Sequence, residues 1–167
     1  MQPKSEVPLK ENKMNVIGSV QARLGSTRLP GKVLMHLGEE RIADRVMKRV
    51  QDAETIDETW LTTGDRPENE AILELCERKE YQYSRGPEED LLKRHLNVSE
   101  ESGCDVLVRV TGDCPFVPSE EIDRVVERHE ENDARYTTNH AESMPIGTAV
   151  DAIDADVLQE LWEMGED

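Results

Sequence analysis

Long apolar runs are missing from this chain: nowhere do about 18 such residues follow one another, so no helix long enough to cross a bilayer is encoded. The opening MQPKSEVPLKENK lacks the apolar centre of a secretory signal. The expectation is a cytoplasmic protein in which residues 1–13 form a loose extension and residues 14–167 a single domain. Cysteine is scarce as well. Cys76, Cys104 and Cys114 are odd in number and show no C-x-x-C spacing, which argues against a disulfide framework and a thiolate metal site and leaves three reduced thiols. Lysine supplies only seven of the 20 bases, aromatic residues make up 4%, and 37 acids take the net charge to −17. A field of that sign repels nucleic acid and anionic membranes. The acids are spread over solvated helix faces rather than gathered in one tail, and both a salt-rich cytoplasm and ordinary acidity account for them.

What is present is an alternation. NVIGSV (15–20) is rich in β-formers, and Ile42, Val46 and Val50 then recur at helical spacing. ETWLTT (58–63) reads as a second strand. The next helix is expected to open at Asp65, with Pro67 just inside and Glu68 three residues on, a capping-box arrangement. Tyr81–Ser84 is a short third strand, a helix runs from about Glu88 to Gly103, and CDVLVRV (104–110) has the continuous apolar character of a buried strand. Ile122, Val125 and Val126 mark a helix after Pro118. Such an order predicts an α/β protein with three layers, α/β/α, around a mostly parallel sheet. Ligands of these sheets bind at the C-terminal ends of the strands, near the point where the strand order switches direction.

One absence is local. From Asn12 to Gly38 there is no Asp and no Glu, in a chain where 37 of 167 residues are acidic. The same window holds QARLGSTRLPGK, in which Gly25 and Gly31 let backbone N–H groups approach a ligand, Ser26 and Thr27 add hydroxyls, and Arg23, Arg28 and Lys32 add charge suited to a polyanion. The stretch is not a Walker-A loop. Five residues rather than four separate Gly25 from Gly31, Lys32 is followed by Val33 instead of Ser or Thr, and Pro30 has no N–H to offer. On chemistry alone a phosphate grip and a basic surface loop both remain open.

QARLGSTRLPGKVL resembles the N-terminal signature of the cytidylyltransferases that activate acidic sugars, including CMP-acylneuraminate and 3-deoxy-manno-octulosonate synthetases. It is most similar to the branch known as spore coat polysaccharide biosynthesis protein F. DETWLTTGDRPENEAI, SRGPEEDLLKRH, CDVLVRVTGDCPFVPSEEID and YTTNHAESMPIGTAVDAI follow in the order of that family, so the resemblance covers nearly everything from Met14 onward. It implies a Rossmann-like nucleotide-diphosphosugar-transferase fold and transfer of a nucleotidyl group from CTP to a sugar hydroxyl, with release of pyrophosphate. Charge building on the phosphate oxygens calls for fixed cations and a divalent metal, Mg²⁺, rather than a covalent nucleophile. Arg23, Arg28 and Lys32 match the family's phosphate-binding positions, and Ala22, Gly25 and Ser26 its nucleotide loop.

The same resemblance assigns Asp113, in RVTGDCP, to the metal, with Arg23, Lys32 and Asp113 as the catalytic set. The family's later G-x-D-V-E pattern falls on GTAVD, so Asp151 stands at the Glu position as a shorter second ligand while Ala149 replaces the Asp. Arg109 reaches phosphate or forms a buried pair with a helix carboxylate. Asp90 matches a recurring acidic position, although an acid in the first turn of a helix is an ordinary dipole partner. Asn139 and His140 follow a short strand near the acceptor side, and His36, His95 and His129 lack ligand spacing and read as surface or packing residues. Family members continue beyond this length, so the region resembling the acceptor-side and dimer-forming segments is expected to be missing, with a homodimer as one assembly. Two further readings stand beside the active synthetase: a CTP–Mg-binding module or partner subunit with little turnover, and a glycosyltransferase that consumes a nucleotide sugar.

Overall fold

The computed structural model describes residues 13–26, 28–141 and 143–165, so Thr27 and the expected extension over 1–12 lie outside the described residues. Strand β1 (Val16–Gln21) has five buried residues in six, the pattern of a strand covered on both faces. It pairs in parallel with β4 (Glu58–Gly64) on one side and β6 (Val106–Thr111) on the other, and β4 pairs in parallel with β5 (Gln82–Gly86). Strand β8 (Val150–Asp154) lies antiparallel to β6, and β7 (Tyr136–Thr138) antiparallel to β8. The described residues thus form one six-stranded sheet in the order β5-β4-β1-β6-β8-β7. A small antiparallel ribbon, β2 (His36–Leu37) with β3 (Glu40–Arg41), precedes the first helix.

Helices α1 (Ile42–Gln51), α2 (Glu70–Lys79) and α4 (Ser119–Glu131) pack on one face. Their Val46, Met47, Val50, Ile72, Leu75, Ile122 and Val126 meet Val16, Val20, Val108 and Val110 in the larger apolar cluster. Helices α3 (Leu91–Ser102) and α5 (Ala155–Gly165) cover the other face, where Leu96, Val98 and Leu158 pack on Ile17, Leu107 and Ile153. Each fully buried aliphatic side chain contributes about 1.5–3 kcal/mol from burial alone, so the two clusters hold the layers on the sheet. The expected three-layer α/β arrangement is present.

Strand β8 runs against its neighbours and makes the sheet mostly parallel, as expected; its sequence VDAID alternates poorly because Asp151 is buried through its partners rather than through its own apolarity. Two local expectations need correction. The capping box at Asp65 does not form. A 3₁₀ turn over Pro67–Asn69 leads into α2 with no side-chain cap among the described residues, and Asp65 Oδ1 instead accepts from the Glu88 backbone N–H at 3.1 Å. Helix α3 begins at Leu91 rather than near Glu88, capped by Asp90 Oδ1 accepting from Lys93 N at 2.8 Å, and it ends at Gly103 with φ 64°.

Among the described residues no helix is long and apolar enough to cross a membrane. Cys76, Cys104 and Cys114 are all free thiols, and burial pushes Cys76 up to about 12.

Candidate active site

From β1 the sheet extends one way through β4 and β5 and the other way through β6, so the ends of β1 and β6 frame the switch point where open α/β sheets bind ligands. Ala22 N donates to Thr62 O at 2.9 Å, and Leu24 N donates to Asn69 Oδ1 at 2.9 Å, so the start of the loop is tied to the neighbouring strand and turn. Gly31, with φ 71°, turns the chain back, and its N–H reaches Leu24 O at 3.1 Å.

Of the residues singled out by sequence, Ala22, Arg23, Gly25, Ser26, Arg28, Lys32 and Asp113 line one cleft of about 280 Å³. Gln21, Val33, Thr111 and Arg94 line it too. Its walls therefore present four cations against one carboxylate, inside a chain of net charge −17. Asp113 pairs with Lys32 at the rim, both side chains about a quarter exposed, so charge is balanced there before any ligand arrives.

Beneath the loop lies an acid that the sequence reading passed over. Glu88 is 5% exposed; its Oε2 accepts from Asn69 Nδ2 at 2.7 Å and its Oε1 lies 3.6 Å from Arg23 Nη1. Gly64 makes room for it, since a Cβ at that position would come within 1.7 Å of Glu88 Oε2. Arg94 was also missed. It is 6% exposed, donates through Nη1 to the carbonyls of Glu88 (2.6 Å) and Pro87 (3.3 Å), and burial pushes its pKa down while Glu88 opposes the shift. No local signal marks it, because α3 brings it to the cleft from far along the chain.

Arg109 and Asp151 do not line this cleft. Arg109 Nη1 donates to Asp151 Oδ2 at 2.7 Å and Nε to Gln21 Oε1 at 3.0 Å, and Tyr136 OH donates to the other Asp151 oxygen at 2.8 Å. The pair open to Arg109 in the sequence is thus with a strand carboxylate rather than a helix one. His95, 3% exposed, completes the row with Nε2 3.0 Å from Gln21 Oε1 and Nδ1 2.9 Å from Ser19 Oγ. Burial, with Arg109 and Arg94 adding to it, lowers its pKa to about 3.

The remaining residues are held by contacts within the fold. Asn139 pins the start of β8, accepting from Val150 N at 2.8 Å and donating to Thr148 O at 3.0 Å; His140 N bonds Thr138 Oγ1; His129 bridges Thr137 and Asp154. His36 is exposed on β2.

Among the described residues no three His, Cys, Asp or Glu side chains gather into a metal cage. The donor set still fits a hard cation delivered on a polyphosphate, because Mg²⁺ binds through one or two carboxylates and takes its other oxygens from phosphate and water. Asp113 is placed to be that carboxylate. Asp151 has both oxygens already engaged.

The cytidylyltransferase family model matches residues 17–162, and the chain belongs to that family. It is 36% identical over 151 residues to the 3-deoxy-manno-octulosonate cytidylyltransferase of Gemmatimonas aurantiaca, an alignment covering 87% of this chain and 53% of that protein. It is 32% identical over 148 residues to the spore coat polysaccharide biosynthesis protein SpsF of Bacillus subtilis, covering 86% and 61%. Among solved structures, a cytidylyltransferase from Leptospira borgpetersenii superposes with a TM-score of 0.84 at 27% identity over 90% of this chain and 64% of that one. The chain therefore spans less than two thirds of the length of these relatives.

Proposed function

We propose that this protein transfers a cytidylyl group from CTP to a hydroxyl of an acidic sugar, with release of pyrophosphate. The observation that carries the reading is the cation-lined, acid-poor cleft at the strand switch point of a chain in the cytidylyltransferase family. The two named relatives point to sugar-acid and polysaccharide precursors as the acceptor class.

In this reading Arg23, Arg28 and Lys32 hold the triphosphate and stabilise charge that grows on the α-phosphate and on departing pyrophosphate. The loop N–H groups around Gly25 and Ser26 add donors fixed by the fold, so little reorganisation is needed at the moment of transfer. Lys32 moves from Asp113 to the arriving phosphate. Asp113 would then be the carboxylate that holds Mg²⁺, which would supply Lewis-acid stabilisation of the phosphate oxygens. Arg94 adds a cation that does not have to be ordered first, because two backbone carbonyls already hold it.

Calorimetric titration tests the reading. CTP with Mg²⁺ binds and stabilises the fold by about 2.7 kcal/mol at a hundredfold excess over Kd, and it raises the melting temperature more than ATP or GTP does. Asp113→Asn keeps the shape and removes the charge, so metal-dependent CTP affinity falls while metal-free affinity holds or rises. No response to any nucleotide across several salt concentrations overturns the site. A second reading, CTP binding with little turnover, is favoured by the engagement of both Asp151 oxygens. Pyrophosphate release with a range of sugar acids separates the two.

A further inference from the structure

The row behind the cleft fixes the orientation of a group that the family match does not single out. Arg109 Nε has only a proton to give, and it lies 3.0 Å from one terminal atom of the Gln21 amide. That atom must therefore be the oxygen. The same oxygen lies 3.0 Å from His95 Nε2, so Nε2 carries the proton, Nδ1 is the acceptor, and Ser19 Oγ donates to it at 2.9 Å. Burial keeps that imidazole neutral, and the Gln21 and Ser19 contacts place its single proton on Nε2. On the far side, Asp151 holds Arg109 and Tyr136 holds Asp151.

The hydrogen bonds in this row are mutually consistent, and they lead to the same residue. With its oxygen accepting twice, Gln21 leaves its NH₂ group, which among the described residues has no protein partner, in a side chain that lines the cleft. Gln21 is the last residue of β1 and precedes the acid-free loop directly, so this donor stands beside Arg23 and Lys32.

We infer that Gln21 is a ligand-binding residue whose amide NH₂ donates to an anionic oxygen of the nucleotide's phosphate chain, and that His95, Arg109 and Asp151 are positioning residues that set its orientation. The inference rests on the nucleotide reading of the cleft. It changes what Arg109 and Asp151 do: they act through Gln21, and Asp151 is a charge partner for Arg109.

Two carriers of an anionic oxygen can enter such a cleft, the nucleotide and a sugar acid, and the titrations distinguish them. With CTP and Mg²⁺ alone, Gln21→Glu is expected to bind about tenfold or more weakly, because a donor becomes a repelling acceptor, and Gln21→Met less so. His95→Leu, which removes the Nε2 proton, weakens CTP binding in the parent but adds nothing in a Gln21→Met background. His95→Gln, whose amide nitrogen replaces Nε2–H, recovers most of the lost affinity. A merely structural His95 would give losses that add in both backgrounds and follow the melting temperature. Parent-like CTP affinity in both Gln21 variants overturns the inference, as does a loss confined to acceptor affinity or KM. If the parent itself binds no CTP, the nucleotide reading fails first and takes this one with it; if Gln21→Glu does not fold, Gln21→Met decides.

Discussion

Alternate residues of β1 face two different environments. Val16 and Val20 look onto α1, α2 and α4, where Gly18 leaves so little room that an added Cβ would come within 2.3 Å of Val50. Ile17, Ser19 and Gln21 look onto α3 and α5, and this face changes along the strand from Ile17 in the smaller apolar cluster to Ser19 and Gln21 in the polar row. β6 and β8 repeat the change: Leu107 and Ile153 are apolar, while Arg109 and Asp151, paired in register, are charged. One face holds the layers together. The other does so only over part of its length, and its remaining length carries the hydrogen-bonded row that ends on Gln21 at the cleft. A buried polar row of this kind is tolerable because its members satisfy one another.

The comparison breaks most sharply on the apolar side. Leu61 is fully buried in the larger cluster, and Leu61→Ala is expected to cost about 2–5 kcal/mol of stability in denaturant titration. The affinity of the remaining folded protein for CTP stays that of the parent. At the cleft the signature inverts: Lys32→Ala lowers the rate of transfer by about 10² to 10³, measured as pyrophosphate release. Its side chain is 28% exposed and packs in no core, so unfolding midpoints move little.

The polar face has its own pH dependence. Unfolded, the His95 imidazole protonates near 6.5, whereas in the fold it does so only near 3. Between those values the unfolded chain binds the extra proton. This contribution is complete above about pH 6.5 and is lost as pH falls, by up to about 1.4 kcal/mol per unit. His95→Gln removes it, so the stability difference between parent and variant shrinks steadily from pH 6.5 to 4.5. Smallest is Asp90→Ala, which removes a cap worth about 1 kcal/mol and leaves CTP affinity unchanged, in keeping with the dipole-partner role of that acid.

What the sequence disclosed and what it hid follow the same division. The apolar face is written in local periodicity, and β1, α1, β6 and α4 can be read from Val, Ile and Leu spacing, whereas the short β2–β3 ribbon leaves no such trace. The loop residues are contiguous, so their cations and glycines stand out together. Gln21 sits inside that motif, yet its role depends on partners 74 and 88 positions away. His95 shows no ligand spacing because its ligands are Ser19 and Gln21 rather than other histidines. β8 escaped notice since two of its five residues are acids, and the capping box at Asp65 failed because the carboxylate was claimed by a loop 23 positions on.

The late place of β8 in the chain has a consequence for synthesis. By residue 140 a growing chain already contains every cleft-lining side chain, and β1 already has its partner strands β4 and β6. Arg109 at that moment has no Asp151 to hold it, and it can turn its guanidinium toward any carboxylate within reach. If Gln21 is the donor inferred above, its orientation depends on a strand, Val150–Asp154, that is made last and slots between β6 and β7. The cleft-lining residues would then all be synthesised before the contact that aims their last donor.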